Sequence, residues 1–236
     1  MGTGVNSHPD FGKKMAATLS GRTGLSFAET DNHFAAQAMM DTAAELSSRL
    51  KTSASSLFKI ANDLRLMNSG PNAGFSEIIL PPLQPGSSIM PGKINPVVPE
   101  AVIMACVQVI ANDTAVTIAN SRGEFELNVM LPLIAHNVLQ SITLLGNAAR
   151  LLSKKAISGF SVNRERISEV LGRNPILVTA LVPVIGYDKA AEIAKKAFKE
   201  SRPIKEVALE MTGLPAAELE RLLEPKSMTG QIYKQG

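Results

Sequence analysis

Val97-Val98-Pro99-Glu100-Ala101-Val102-Ile103-Met104-Ala105-Cys106-Val107-Gln108-Val109-Ile110-Ala111-Asn112-Asp113-Thr114-Ala115-Val116-Thr117-Ile118-Ala119 is apolar on almost every side of a helix. A helix without a polar face belongs at the centre of a bundle. Only Asn112 and Asp113 interrupt it, and buried polar groups of this kind need hydrogen-bond partners. The stretch therefore predicts other long helices around it. Two candidates flank it. Before it, Met39, Ala43, Leu46, Leu50, Ser53, Leu57, Ile60 and Leu64 recur in alternating steps of four and three, the seam of a long helix. Thr30 or Asp31 would cap its start, and Asn68-Ser69-Gly70-Pro71 would stop it. After it, Leu131, Ile134, Val138, Ile142, Leu145, Ala149, Leu152 and Ala156 form the stripe of a third helix, expected over about 127–158 and ended by Gly159.

Beyond Gly159 the pattern shortens. Asn163 is placed to cap a helix running to Leu171, Pro175 opens another, Asp188 caps an amphipathic stretch to Lys199, and Pro203 and Pro215 start two more. At the other end, residues 2–9 read as a loop and a short helix is expected over about 10–19. The expected fold is all-α: a long-helix bundle over residues 1–158, followed by a small helical domain over 159–236.

Composition agrees with that class. Of 236 residues, 45% are hydrophobic and only 4% aromatic, without tryptophan, a mixture that suits helices packed on helices. The charge of +3 is too small to call for nucleic acid. The basic pairs Lys13-Lys14, Lys154-Lys155 and Lys195-Lys196 are scattered, without interleaved aromatics, and read as solvated helix faces. The single cysteine, Cys106, excludes an intramolecular disulfide and sits in an apolar run as filler. No apolar run is expected to span a bilayer, and Met1 to Asn6 lack a signal-peptide core and a myristoylation serine. The expectation is a cytoplasmic protein with no membrane, nucleic-acid or metal partner.

Residues 70–96 hold Gly70, Pro71, Gly74, Pro81, Pro82, Pro85, Gly86, Pro91, Gly92 and Pro96, too many breakers for a helix. A loop this long in a compact domain is usually functional. Its end, Gly86-Ser87-Ser88-Ile89-Met90-Pro91-Gly92-Lys93-Ile94-Asn95-Pro96, has a glycine and serines that let the backbone approach a ligand closely, and offers backbone amides, two hydroxyls, the Lys93 ammonium and the Asn95 amide. That set suits a carboxylate or a developing oxyanion. Glu100 follows in the first turn of the next helix, where the helix dipole favours a carboxylate. A proline-rich structural loop with an acidic helix start would use the same residues.

This segment resembles the signature of the fumarase/aspartase superfamily: a glycine, two serines, a methionine, a lysine and an asparagine-proline pair. Similar agreement runs through residues 2–9, Lys59 to Leu66, Ser69-Gly70-Pro71, Phe125 to Val129 and Ile185 to Ala191, so it covers essentially the whole chain. Arg122 departs from the small or polar residue expected at its position. The resemblance implies homotetramers with a shared helix bundle, active sites assembled from three subunits, a small dicarboxylate substrate and no cofactor. It implies reversible anti addition across the double bond of fumarate. Ser87 is the implied base, Ser88, Lys93, Ile94 and Asn95 the implied substrate carboxylate site, and Glu100 the implied partner of a histidine that handles the water. His8, His33 and His136 do not match that histidine, which the family carries in its N-terminal half.

Gly92, His8-Pro9, Phe125 to Val129 and Tyr187-Asp188-Lys189 are similar to the fumarase branch, which hydrates fumarate to L-malate. Val97-Val98-Pro99-Glu100 and Asn112-Asp113-Thr114 are similar to aspartate ammonia-lyase, the first alternative. A non-catalytic structural derivative of the superfamily is the second, and the intact Ser87, Lys93, Asn95 and Glu100 speak against it.

Overall fold

Met40 cannot continue the helix that the sequence pattern runs straight through it, because its backbone N–H is taken by the Asn120 side chain at 2.7 Å. In this computed structural model, which describes residues 1–233, the expected first long helix is therefore two. After α1 (Phe11–Thr23), α2 (His33–Ala38) is capped by Asn32, whose Oδ1 accepts from the N–H groups of Phe34 and Ala35, both at 3.1 Å. The cap is Asn32 rather than Thr30 or Asp31. Met39 is extended, and α3 (Asp41–Met67) starts afresh. Asn120 also donates to Asp41 at 3.0 Å, so one amide closes both sides of the break.

The bundle is α3, α4 (Val97–Asn120) and α5 (Leu131–Lys155), with α4 packed along both others. Along α4, Val102, Cys106, Val109, Val116 and Ala119 are almost wholly buried. Burial pushes the Cys106 thiol pKa up and keeps it protonated, so it acts as apolar filler.

The most deeply buried line of α3 coincides with the expected seam only at Leu64. Ser47, Ala54, Ala61 and Leu64 are the buried residues of α3. Small residues at seven-residue steps let the helices approach closely. The bulky seam residues lie beside that line: Leu46 is 44% exposed and Ile60 46%. Leu50 and Leu57 instead form an apolar groove of about 480 Å³ with Ile142, Leu145 and Ala149 of α5. Thus α3 carries two apolar lines, a small inner one and a large outer one, which periodicity alone merges into one stripe.

The two polar interruptions of α4 are partnered. Asn112 donates to Gln140 at 2.9 Å and to Ser141 at 3.0 Å, and accepts from Gln108 at 2.7 Å. Asp113 is bridged by Lys51 of α3 at 2.6 Å. The expectation about membrane spans needs correcting: α4, with mean hydropathy 1.7 over its best window, is long and apolar enough to cross a bilayer by length and composition. Two acidic residues, Glu100 and Asp113, are too few to dilute so many aliphatic side chains. The helix is the central member of the bundle, and Asp113 at its middle is ion-paired.

The third helix starts at Leu131, not near Leu127, because Asn128 is committed elsewhere. Its buried amide donates to the Ala119 carbonyl at 3.0 Å and accepts from Met130 N–H at 2.8 Å, pinning the turn between α4 and α5. The helix ends at Lys155, and a 3₁₀ turn, Ile157–Gly159, follows. Arg122, unexplained in the sequence, pairs with Glu124 in the same turn at 3.1 Å.

The chain divides into two units: Met1–Ser69 with Leu80–Phe160, and Gly70–Ile79 with the chain from Ser161 onward. The first ten residues of the expected loop thus group with the second unit rather than with the bundle. The reason is a pairing that the sequence does not advertise. Strand β1 (Ile78–Ile79) lies antiparallel to β2 (Ser161–Val162), with Ile78 opposite Val162, and Asn163 N–H donates to the Glu77 carbonyl at 2.9 Å.

The second unit continues through α6 (Arg164–Gly172), α7 (Val182–Ile185), α8 (Tyr187–Glu200), α9 (Ile204–Thr212) and α10 (Ala216–Leu222). Its core is aliphatic: Leu177, Leu181, Ile193, Ile204, Val207 and Leu219 are at most 6% exposed. Asn163 caps α6 by accepting from Arg166 N–H at 3.3 Å. Asp188 lies in the first turn of α8 instead of capping it. Gly186, with φ of 79°, makes the sharp entry.

Candidate active-site loop

Gly86 and Lys93 close the tip of the loop. Gly86 N–H donates to the Lys93 carbonyl at 2.9 Å, and a Cβ on residue 86 would lie only 2.3 Å from that oxygen. The glycine is thus required by the loop's own backbone, not by the approach of a ligand as the sequence suggests. Asn95 donates to the Gly86 carbonyl at 2.9 Å, tying the same neck from its other strand. Gly92, at φ of 80°, takes the left-handed conformation that turns the chain back.

Within the closed tip, Ser87 Oγ accepts from two backbone N–H groups, those of Ile89 and Met90, both at 3.2 Å. Donors aimed at an oxygen stabilise its anionic form more than its neutral form. The loop therefore points two fixed dipoles at the Ser87 hydroxyl oxygen. Ser88, Lys93 and Ile94 are exposed, while Ser87 and Asn95 are half-buried. Among the described residues Lys93 has no acidic partner, so its ammonium is open to an anion. A cavity of about 470 Å³ is lined by Gln84, Gly86, Ser87, Met90, Lys93 and Ile94. Glu100 is exposed in the first turn of α4.

The loop gathers Ser87, Lys93 and Ile94 around one cavity and uses Asn95 to hold its neck. Ser88 and Glu100 do not line that cavity. The histidines are occupied elsewhere. His8 Nδ1 accepts from Asp10 N–H at 3.1 Å, His33 Nε2 pairs with Glu29 at 3.3 Å, and His136 is exposed on α5. A larger cavity, about 780 Å³, lies beside α1 and contains His8, His33 and Glu29 but none of the signature residues. No cluster of three or more metal-ligating side chains occurs among the described residues.

Sequence reasoning missed the foot of the loop. Asn68, read only as a helix stop, accepts the N–H of buried Leu80 at 2.8 Å, and Gly159 lies so close under Pro81 that a Cβ would meet Pro81 Cγ at 2.9 Å. An asparagine at a helix end, twelve residues before a proline-flanked buried leucine, was the available signal.

The bundle thus has one apolar central helix, with a serine-lysine-asparagine loop leading into its start. A family model described as Lyase matches residues 1–111, and one described as Fumarase C C-terminus matches residues 177–230. A fumarate hydratase class II of Pseudomonas aeruginosa is 58% identical over 229 residues, covering 97% of this chain and 50% of that protein. A fumarate hydratase class II of Xylella fastidiosa is 57% identical, covering 100% of this chain and 50% of its own length. The crystal structure of a class II fumarase from Schistosoma mansoni superposes with a TM-score of 0.87 at 36% identity, covering 98% of this chain and 51% of that one. The chain belongs to the fumarase/aspartase superfamily, within its class II fumarate hydratase family. It spans about half the length of the curated relatives it matches.

Proposed function

We propose that this chain supplies the proton-abstracting loop of a fumarate hydratase, which converts L-malate and fumarate plus water into one another. The observation that carries the reading is Ser87 Oγ held by the Ile89 and Met90 amides. In the malate-to-fumarate direction, Ser87 as alkoxide takes the C3 proton. The electron pair of that C–H bond passes into the adjacent carboxylate, giving an aci-carboxylate with a second negative charge. Lys93, which lines the same cavity as Ser87, stabilises that charge, since donors fixed in advance act most strongly where charge develops; the Ser88 hydroxyl and the Asn95 amide are the further donors of the same motif. The pair then returns to form the C2–C3 double bond as the C2 hydroxyl leaves, protonated to water. Glu100 orients the histidine that handles this water, and that histidine is none of the three in this chain.

The relatives' descriptions favour water over ammonia as the group added, and the intact loop disfavours a purely structural derivative. The large outer line of α3 and its groove with α5 favour assembly through the bundle into a homotetramer, in which the loop would meet residues of other subunits. We place the assembled enzyme in the cytoplasm, without a cofactor.

The test is exchange of the malate C3 proton with solvent, measured for the chain combined with a polypeptide covering the other half of the Pseudomonas relative. Exchange that disappears in Ser87→Ala, with dicarboxylate still bound, supports the reading. Exchange at a near-normal rate in that variant passes the base to another residue.

A further inference from the structure

The foot of the loop is built more firmly than its tip. Leu80 is 4% exposed, and its N–H is held by Asn68 Oδ1 at the C-terminal end of α3. Pro81 lies against Gly159 with no room for even one added carbon. From that foot to Gly86 the chain reads Pro81-Pro82-Leu83-Gln84-Pro85. Three of those five residues have φ fixed by their rings, and the two preceding a proline at Pro81 and Gln84 are restricted as well. Such a segment behaves as a semi-rigid spacer, so a shift at its base appears at its far end instead of being absorbed. At that far end stand Gly86 and Ser87.

We propose that Asn68 and Gly159 are positioning residues for Ser87. They fix the base of a stiff prolyl arm, and the arm sets where the serine stands. The inference rests on the reading of Ser87 as the base, but what it asserts is mechanical. Neither residue touches the substrate. Asn68 acts through one hydrogen bond to a buried amide, and losing it leaves that N–H without a partner. Gly159 acts by being absent of side chain, so Pro81 can seat.

The buried, protonated Cys106 makes a direct test possible, since an introduced surface thiol is far more reactive than a buried one. Ile89→Cys at the tip, 83% exposed, and Lys154→Cys on α5 are spin-labelled in the full chain, and the distance distribution between them is measured by pulsed electron resonance. With Asn68 intact the distribution is narrow. Asn68→Ala broadens or displaces it about twofold, because a released foot lets the stiff arm swing as a unit. Asn68→Asp, whose carboxylate accepts the same N–H, restores the narrow distribution. Gly159→Ala displaces the peak without broadening it. An unchanged distribution in Asn68→Ala overturns the proposal, as does broadening that persists in Asn68→Asp. Should Asn68→Ala lose its helical signal, Gly159→Ala decides: an undisplaced peak in that variant overturns the proposal. No turnover enters the measurement, so its failure is separate from failure of Ser87 as the base.

Discussion

Lys51 Nζ lies 2.6 Å from Asp113 Oδ2, while the buried Oδ1 of the same carboxylate has no hydrogen-bond partner. One acid in the most apolar helix of the chain therefore depends on a single cation from the neighbouring helix. Removing one partner of a buried pair costs about 3–5 kcal/mol. The lysine side chain is 42% exposed, which lowers the expected loss for Lys51→Met to about 2 kcal/mol. Urea unfolding followed by helical ellipticity measures it, and an unchanged midpoint would show that water serves Asp113 as well as Lys51 does.

Asn128→Ala removes the amide that pins the turn between α4 and α5. At a site 1% exposed, it leaves the Met130 N–H without its acceptor and takes one donor from the Ala119 carbonyl, which keeps the Arg122 N–H at 3.2 Å. The expected loss of stability is about 1–3 kcal/mol, the usual range when a buried polar group is left unpaired. Asn128→Asp keeps the acceptor for Met130 but sets a buried carboxylate oxygen against the Ala119 carbonyl, so it should lose at least as much in chemical denaturation at neutral pH.

The α9 residue Glu210 meets Lys196 and also Arg202, the latter at 3.0 Å. Hydrogen bonds from those two cations hold its pKa below the ordinary carboxylate value. A depressed acid contributes stability above its unfolded-state pKa and loses it as pH falls toward the folded value. The gap in thermal midpoint between the chain and Glu210→Gln should therefore be present at neutral pH and close in acid. The group is exposed, so salt should shrink the same gap. A gap that widens in acid would reverse the assignment.

Lys93→Met should weaken binding of a nonreactive dicarboxylate and slow the chemical step together in the assembled enzyme. On the proposed reading, the ammonium beside Ser87 serves both the bound substrate and the charge that grows on it. Removing one stabilising donor typically costs about a hundred- to a thousandfold in turnover. Equilibrium binding and single-turnover rates read the two effects separately, and no change in either removes Lys93 from the site.

The assembled state can be read without activity. A chain whose bulky α3 line and α5 groove face outward should self-associate, or bind an apolar dye if it does not. Sedimentation that finds a dye-silent monomer contradicts the proposed bundle assembly. Assayed alone, the chain should turn over malate negligibly, since none of its histidines fits the role of handling the water.

The central helix and the irregular loop before it were legible because they rest on strong local signals: a charge-poor run of helical length, and a dense set of breakers. What the sequence concealed depends on tertiary partners. The break at Met39–Met40 follows from Asn120, eighty residues away from Met40, and no local rule predicts it. The late start of α5 follows from Asn128 reaching back to Ala119. The two-residue strands are too short to show alternation. The inner and outer lines of α3 lie one residue apart, and period alone cannot say which of two adjacent faces meets its own chain. In the loop, glycine's role at position 86 was read as room for a ligand, whereas only the fold reveals that the Lys93 carbonyl fills that room.

The fork at Asn120 has a consequence for how this sequence can drift. One amide ends α4 and, through Met40 and Asp41, begins α3. A replacement tolerable at one helix end is judged at the other as well. Positions 40, 41 and 120 are thus bound as a group, and related chains that change the asparagine should carry a compensating change at the acid, so that the three sites vary in concert or stay as they are.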